Sequence, residues 1–452
     1  MKRPAERVSI EEFQDRRRRL LDRIGSGAVA LVQGGPKGRT HDKFRQTNDF
    51  YYLCGVEAPH AYLMLDGRSG KTTLFLPYQS EERAAREGEL PSASRAEQSA
   101  KAAGVDAVEG PEMIATRLEK TSVVYTPMRQ GEGPAMSWDT LQRGQQERYA
   151  DPWDGLPDRA SHFVGLLRSR RPAAELRDLG PILDEMRLVK SNAEVGLLRE
   201  AGRICAAAVT EAMKSTQPGV MEYELDAVLR YTYLASGSRD VAYRAIIAGG
   251  ENAWYGHYED NNDVLRDGDL VLVDCAPDYH YYTSDIGRMI PVGGRYSDTQ
   301  RQLYGFMVQY HKQFLALLGP GENDEKIRIE AAARMKKVVD STKWEKPIYE
   351  EAARRALEFP VHLSHPVGLA VHDVGHYRGK TLEAGVVLTV DPQLIIPEER
   401  RYVRVEDTVV VTENGIENFT EPAPLELDDV EATMRLPGLL QEFPAERLGE
   451  RQ

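Results

Sequence analysis

Two hydrophobic periods divide this chain. Ser9–Ile24 is heavily charged, yet Phe13, Leu20, Leu21 and Ile24 recur at helical spacing, which predicts a helix with Arg16–Arg19 on its exposed face. Short apolar runs then follow at Ala28–Val32, Phe50–Leu53, Tyr62–Leu65, Thr73–Leu76 and Val123–Tyr125, parted by Gly, Pro and polar loops. They read as strands, and strands alternating with helical stretches predict an α/β N-terminal domain. Around Arg168–Gly180 the chain becomes basic and Pro-containing, so the division is expected between domains 1–176 and 177–452.

Beyond that point the helical period dominates. Ser191 and Glu194 have the spacing of a capping box, each side chain satisfying a free backbone N–H at a helix start. Val195, Leu198, Cys205, Ala208, Val209 and Ala212 then form a buried stripe that ends before Pro218-Gly219, which places Cys205 in a core. A helix over 222–236 precedes a strand over 244–248. A second capping box, Ser297 to Gln300, opens a helix with Leu303, Met307, Tyr310, Phe314 and Leu317 inward, stopped at Gly319-Pro320-Gly321.

One repetition stands out. Gly268-Asp-Leu-Val-Leu-Val-Asp274 and Gly385-Val-Val-Leu-Thr-Val-Asp391 are both glycine-opened, β-branched runs closed by aspartate at the same register. Two related halves, each delivering a carboxylate to a shared site, would produce this pattern.

Composition narrows the function. The 452 residues carry 58 Lys+Arg against 71 Asp+Glu, a net charge of −13 that repels nucleic acid and anionic membranes. The apolar runs at 27–32 and 385–390 fall far short of the roughly 20 residues that a spanning helix needs. No apolar segment near the N-terminus reads as a secretory signal. The three widely spaced cysteines fit neither a disulfide framework nor a cysteine-rich metal site, so a cytoplasmic protein is expected. Gly34-Gly35-Pro36-Lys37-Gly38 lacks the spacing and following helix of a phosphate loop.

The acidic excess has a second consequence: carboxylates that converge require cations between them. Asp274 and Asp285 flank the turn signal Ala276-Pro277-Asp278, so a hairpin would bring them together. Four of the ten histidines (His362, His365, His372 and His376) crowd into one Gly-containing, largely apolar stretch. Downstream, Arg404-Val-Glu-Asp-Thr-Val-Val-Val411 alternates as a strand with Arg404, Glu406 and Thr408 on one face. Asp274, Asp285, His365, Asp391 and Glu406 together make four carboxylates and one imidazole, which suits hard or borderline divalent ions. A pair of such ions could activate water and clamp a tetrahedral intermediate, so metal-assisted hydrolysis is the expected reaction class.

In this order the residues resemble the creatinase/methionine-aminopeptidase, or pita-bread, superfamily, in its proline-directed branch of Xaa-Pro aminopeptidases and prolidases. The resemblance extends to Gln46–Pro59, which is similar to that branch's N-terminal signature, and to Glu185–Ser191, similar to the entry into its catalytic domain. It implies an α/β N-terminal domain followed by an α+β pita-bread domain with pseudo-two-fold halves. It also implies two divalent metal ions, manganese first, with cobalt or zinc as alternatives. Asp274 would bind one ion, Asp285 and Glu406 would bridge both, and His365 with Asp391 would complete the other. His257 and His372 would meet the substrate, and Arg404 would hold the site's carboxylates. The implied partner is a peptide with proline in second position, and the implied assembly a homodimer or homotetramer.

Three positions depart from the family's pattern. Asp391 stands where the family has a glutamate that binds metal and accepts a proton from the attacking water; Val361 replaces a histidine; Ile395 replaces a tyrosine. These changes keep three alternatives in view: a prolidase, an altered hydrolase on the same fold, and a pseudopeptidase that binds without cleaving. Cys275, beside Asp274, is expected to be a small packed residue.

Overall fold

The structure, a computed structural model, describes residues 8–38, 43–133 and 137–443. The chain divides into two compact units, Met1–Arg187 and Leu188–Gln452.

The first unit is built on a six-stranded mixed sheet. Its strands are β1 (Ala28–Gln33), β2 (Tyr62–Asp66), β3 (Lys71–Phe75), β4 (Ala107–Glu109), β5 (Val123–Thr126) and β6 (Glu175–Asp178), in the order β4-β3-β2-β1-β5-β6. β1 runs antiparallel to β2 and parallel to β5. Val29, Leu31, Met64, Phe75 and Val124 meet helix residues Phe163 and Leu167 in one core. The division lies beyond the expected 176/177 because β6 pairs with β5 and so belongs to this sheet.

Two readings of this unit are corrected. Phe50–Leu53 lies within the helix Asn48–Cys54 rather than in a strand. A short apolar run has no period that separates the two, and the deciding signals are Thr47 at the N-cap and Gly55 in the left-handed conformation at the C-cap (φ 64°). Arg16 and Arg17, expected on an exposed face, are buried, at 2% and 3% exposure. Arg16 donates to the Tyr52 carbonyl (3.0 Å) and Arg17 to that of Leu53 (2.8 Å), satisfying the C-terminal end of that helix. Arg18 is exposed, as expected.

The second unit carries two antiparallel sheets. One joins β7 (Ile246–Gly249), β8 (Leu270–Cys275) and β9 (Ile286–Pro291) in the order β9-β8-β7. The other joins β10 (Leu363–Pro366), β11 (Val387–Val390), β14 (Asp407–Thr412) and β15 (Gly415–Asn418) in the order β10-β11-β14-β15. Between β11 and β14 in the chain, the strands β12 (Gln393–Ile396) and β13 (Arg401–Arg404) pair as a separate hairpin. The repeated motifs form β8 and β11, each inside its sheet, and a bridge between Gly287 and Glu406 links the two sheets.

Both capping boxes are formed, at the helices Asn192–Ser215 and Asp298–Leu317. Cys205 and Cys275 are fully buried, and the Cys205 thiol donates to the Cys275 carbonyl at 3.0 Å. The alternating run from Arg404 is two strands in different sheets, β13 and β14, because the chain passes from one to the other at Val405-Glu406.

Two histidines in this unit are fully buried. His362 contacts the Ala356 carbonyl at 2.6 Å among the rings of Tyr310, Phe314 and Phe359; His311 lies 3.2 Å from Asp407. Burial pushes both down to about 4, against about 6.5 in an unfolded chain. The unfolded chain therefore takes up these protons first on acidification. Their stabilising effect is complete above pH ~6.5 and falls as pH drops toward ~4, by about 1.4 kcal/mol per pH unit per histidine. Denaturant melts between pH ~7.5 and ~4.5 are expected to show this loss; a flat profile would contradict it.

Candidate metal centre

The site forms where the two sheets of the second unit meet. β8 and β9 are a hairpin with Gly287 opposite Asp274, so Asp274 at the end of one strand and Asp285 just before the other reach the same place. Asp391 follows β11, Glu406 precedes β14, and His365 lies on β10. Thr408 fixes one side of this junction: its Oγ1 accepts from the Asp285 N–H and donates to the Asp285 carbonyl, both at 2.8 Å. Gly287 permits the close approach, since a Cβ there would sit 3.2 Å from that of Glu406.

Asp274, Asp285, Asp391 and Glu406 are all buried, none more than 3% exposed. One guanidinium addresses three of them. Arg404 donates from Nε to Asp391 (2.7 Å), from Nη1 to Asp274 and from Nη2 to Glu406. The planar, permanently charged guanidinium, with its donors fixed in a fork, is suited to serving three carboxylates from three segments. The Tyr243 hydroxyl contacts Asp274 at 2.5 Å and Asp285 at 2.6 Å. Gln393 donates to the second oxygen of Asp391 at 2.8 Å.

The electrostatics follow from crowding. Burial, and then the neighbouring Asp274, push Asp285 up to about 6. Burial pushes Glu406 up to about 7 and Asp391 up to about 8, although Arg404 opposes both. For His365 burial disfavours the charged ring, but Asp285 and Glu406 outweigh it and push it up to about 10. Acids that hold protons and an imidazole that gains one describe a pocket short of positive charge.

A metal ion fits that deficit. His365 Nε2 and Glu406 Oε1 are buried with no hydrogen bond among the described residues. Together with an Asp285 oxygen they lie within 4.8 Å of one another, one nitrogen and two oxygens around a cation-sized space. Asp274 and Asp391 border this group through Arg404.

The structure thus gathers Asp274, Asp285, His365, Asp391, Arg404 and Glu406. His372 adjoins them, its ring centroid 3.9 Å from that of His365. His257 is not gathered in; it is exposed on the turn after Gly250–Trp254. Tyr243 and Gln393 were missed from the sequence. Tyr243 stands just before a predicted strand with no motif around it, whereas the proximity of Gln393 to Asp391 was a usable signal.

Known proteins resemble this chain along most of its length. Residues 196–413 match the model of metallopeptidase family M24, and residues 13–125 that of the aminopeptidase P N-terminal domain. The Xaa-Pro aminopeptidase of Escherichia coli (strain K12) is 32% identical, the alignment covering 94% of this chain and 98% of that protein. Its Haemophilus influenzae counterpart is also 32% identical, over 94% and 97%. Among solved structures, E. coli aminopeptidase P with the inhibitor Pro-Leu superimposes with a TM-score of 0.77 at 30% identity, covering 95% of this chain and 98% of that one. An aminopeptidase P described as putative, from Bacillus anthracis, gives 0.80 at 26% identity, covering 96% and 100%. The gathered carboxylates and imidazole lie in a pita-bread domain that follows an aminopeptidase P N-terminal domain in the sequence, and this chain belongs to metallopeptidase family M24.

Proposed function

We propose that this chain is a Xaa-Pro aminopeptidase, a metal-dependent hydrolase that releases an N-terminal residue from the proline that follows it. The observation that carries this reading is the convergence of Asp274, Asp285, His365, Asp391 and Glu406 in a chain similar along nearly its whole length to named Xaa-Pro aminopeptidases.

In this reading Asp274, Asp285, His365, Asp391 and Glu406 would hold two divalent cations, Asp285 and Glu406 being the ligands that both would share. Four ionised carboxylates beside a single arginine leave a deficit of three positive charges, more than one divalent ion covers, and the second ion is part of the proposal. Manganese is the metal of this proposal, and oxygen-rich donors also accept cobalt or zinc. Bound there, such ions supply Lewis acidity and lower the pKa of water.

The protein's own groups supply the rest. Asp391 would accept the proton released by the attacking water; Gln393 and Arg404 each bond one of its two oxygens. Arg404 ties the three carboxylates to one another. His372, its ring tilted at 38° against that of His365, would donate to the oxygen that gains charge as the carbonyl is attacked. His257 would meet the substrate from its exposed turn. The proposed setting is the cytoplasm, as a homodimer or homotetramer; no helix of the described residues is long and apolar enough to cross a membrane.

Substrate length separates the closest readings. Supplied with manganese, cobalt or zinc, the purified protein is expected to release the first residue of Xaa-Pro-Yaa tripeptides and to leave Xaa-Ala-Yaa uncut. Cleavage of Xaa-Pro dipeptides alone would make it a prolidase. Release from neither, with metal bound, would favour an altered hydrolase or a pseudopeptidase.

A further inference from the structure

Asp285 and Glu406 come from different sheets, yet their separation must hold to a fraction of an ångström if they are to share two ions. On the reverse face of that junction lies a fully buried ion pair. Arg288, on β9, donates from Nη2 to Asp407 at 2.7 Å, and each residue is about 1% exposed or less. Replacing such a pair by apolar side chains of similar volume is often neutral or stabilising, so stability alone does not account for it.

Its remaining contacts show what it touches. Arg288 Nη1 donates to the carbonyls of Gly287 (3.0 Å) and Glu406 (2.6 Å), and Nε to that of Pro424 (3.2 Å). The Gly287 and Glu406 backbones also bond each other, N–H to carbonyl at 3.2 and 3.0 Å. One guanidinium therefore braces the only bridge recorded between the two sheets among the described residues, at the backbone of a candidate shared ligand. Asp407, the next residue, is held in turn by the Thr420 hydroxyl at 2.6 Å and approached by His311.

We propose that the Arg288–Asp407 pair is a positioning clamp that sets the Asp285–Glu406 separation, so that two divalent cations are held as a coupled pair. The proposal rests on the reading of Asp285 and Glu406 as shared ligands. Arg288 and Asp407 touch neither ion nor substrate; they act through the Glu406 backbone.

The test loads the full-length protein with manganese(II) and records electron paramagnetic resonance together with calorimetric metal titration. Wild type is expected to show the multiline signal of a spin-coupled pair. Arg288→Lys and Asp407→Asn are expected to bind the second equivalent at least about tenfold more weakly. At saturation they should give the signal of isolated or weakly coupled ions. A pair that served stability alone would lower the melting temperature and leave the saturated spectrum unchanged, and that result overturns the proposal. If a charged-pair variant does not fold, Thr420→Val is read instead; it removes the hydroxyl from Asp407 together with that hydroxyl's bonds to the Thr408 N–H and to Asn418, and a smaller shift in the same direction is expected, an unchanged spectrum again overturning the proposal. A wild type that never shows the pair overturns the reading of the centre itself.

Discussion

Replacing Asp285 with asparagine is expected to lower kcat/KM on a Xaa-Pro tripeptide by about a thousandfold, or about 4 kcal/mol of transition-state stabilisation. Asp285 belongs with His365 and Glu406 to a group that could hold a metal ion, found among the described residues, so in the proposed centre its loss would remove a shared ligand rather than a peripheral one. The same change should not harm the fold. Burial and Asp274 already push Asp285 up, a sign that its charge is costly where it stands. In chelator the variant should melt at or above the wild-type temperature, because asparagine keeps an oxygen for Tyr243 and removes a repulsion. Retention of more than about a tenth of the wild-type kcat/KM, a loss under about 1.4 kcal/mol, would take Asp285 out of the centre.

The largest stability effect is expected at Arg404. Its guanidinium is the only cationic group recorded on Asp391 and Asp274 among the described residues, and it also serves Glu406. In Arg404→Met the three buried carboxylates lose that partner, and breaking a buried ion pair from one side costs about 3–5 kcal/mol. In chelator the melting point should fall accordingly. Added manganese should recover much of the loss, because cations bound to the same carboxylates replace the missing charge. Equal losses with and without metal would mean that Arg404 supports the fold independently of the centre. Arg404→Lys keeps the charge but lacks the fork, so it should fall between wild type and Arg404→Met.

Much of this was legible in the sequence, for reasons that differ residue by residue. The repeat ending in Asp274 and Asp391 was readable because each glycine-opened, β-branched run closes on an aspartate at the same register, and β8 and β11, buried on both faces, are the strands it specifies. The Asp274–Asp285 hairpin is formed, but not by the turn residues read for it: Pro277-Asp278 pairs as a short strand with Asp240-Val241, and the chain reverses between Tyr279 and Tyr282, where His280 and Tyr281 take positive φ (49° and 76°) that no Gly or Asn announced. Phe50–Leu53 misled because its helix is set by a cap and a left-handed glycine outside the apolar run. Arg16 and Arg17 misled because a guanidinium can be buried when carbonyls receive it, and those carbonyls lie in a segment distant in sequence. Tyr243 and the Arg288–Asp407 pair were invisible for the same reason: their meaning comes from partners brought near only by folding. The shortened Asp391 was visible at once, but the Gln393 amide that holds its free oxygen was not.

The central claim is that these residues form a two-metal peptidase centre. Its most direct test strips the protein with chelator and titrates manganese back while release of the first residue from a Xaa-Pro-Yaa tripeptide is followed. No release from the stripped protein, and activity that levels off when two ions are bound per chain, is the predicted result. Undiminished cleavage by fully stripped protein, or saturation of binding with no cleavage at any metal load, would contradict it.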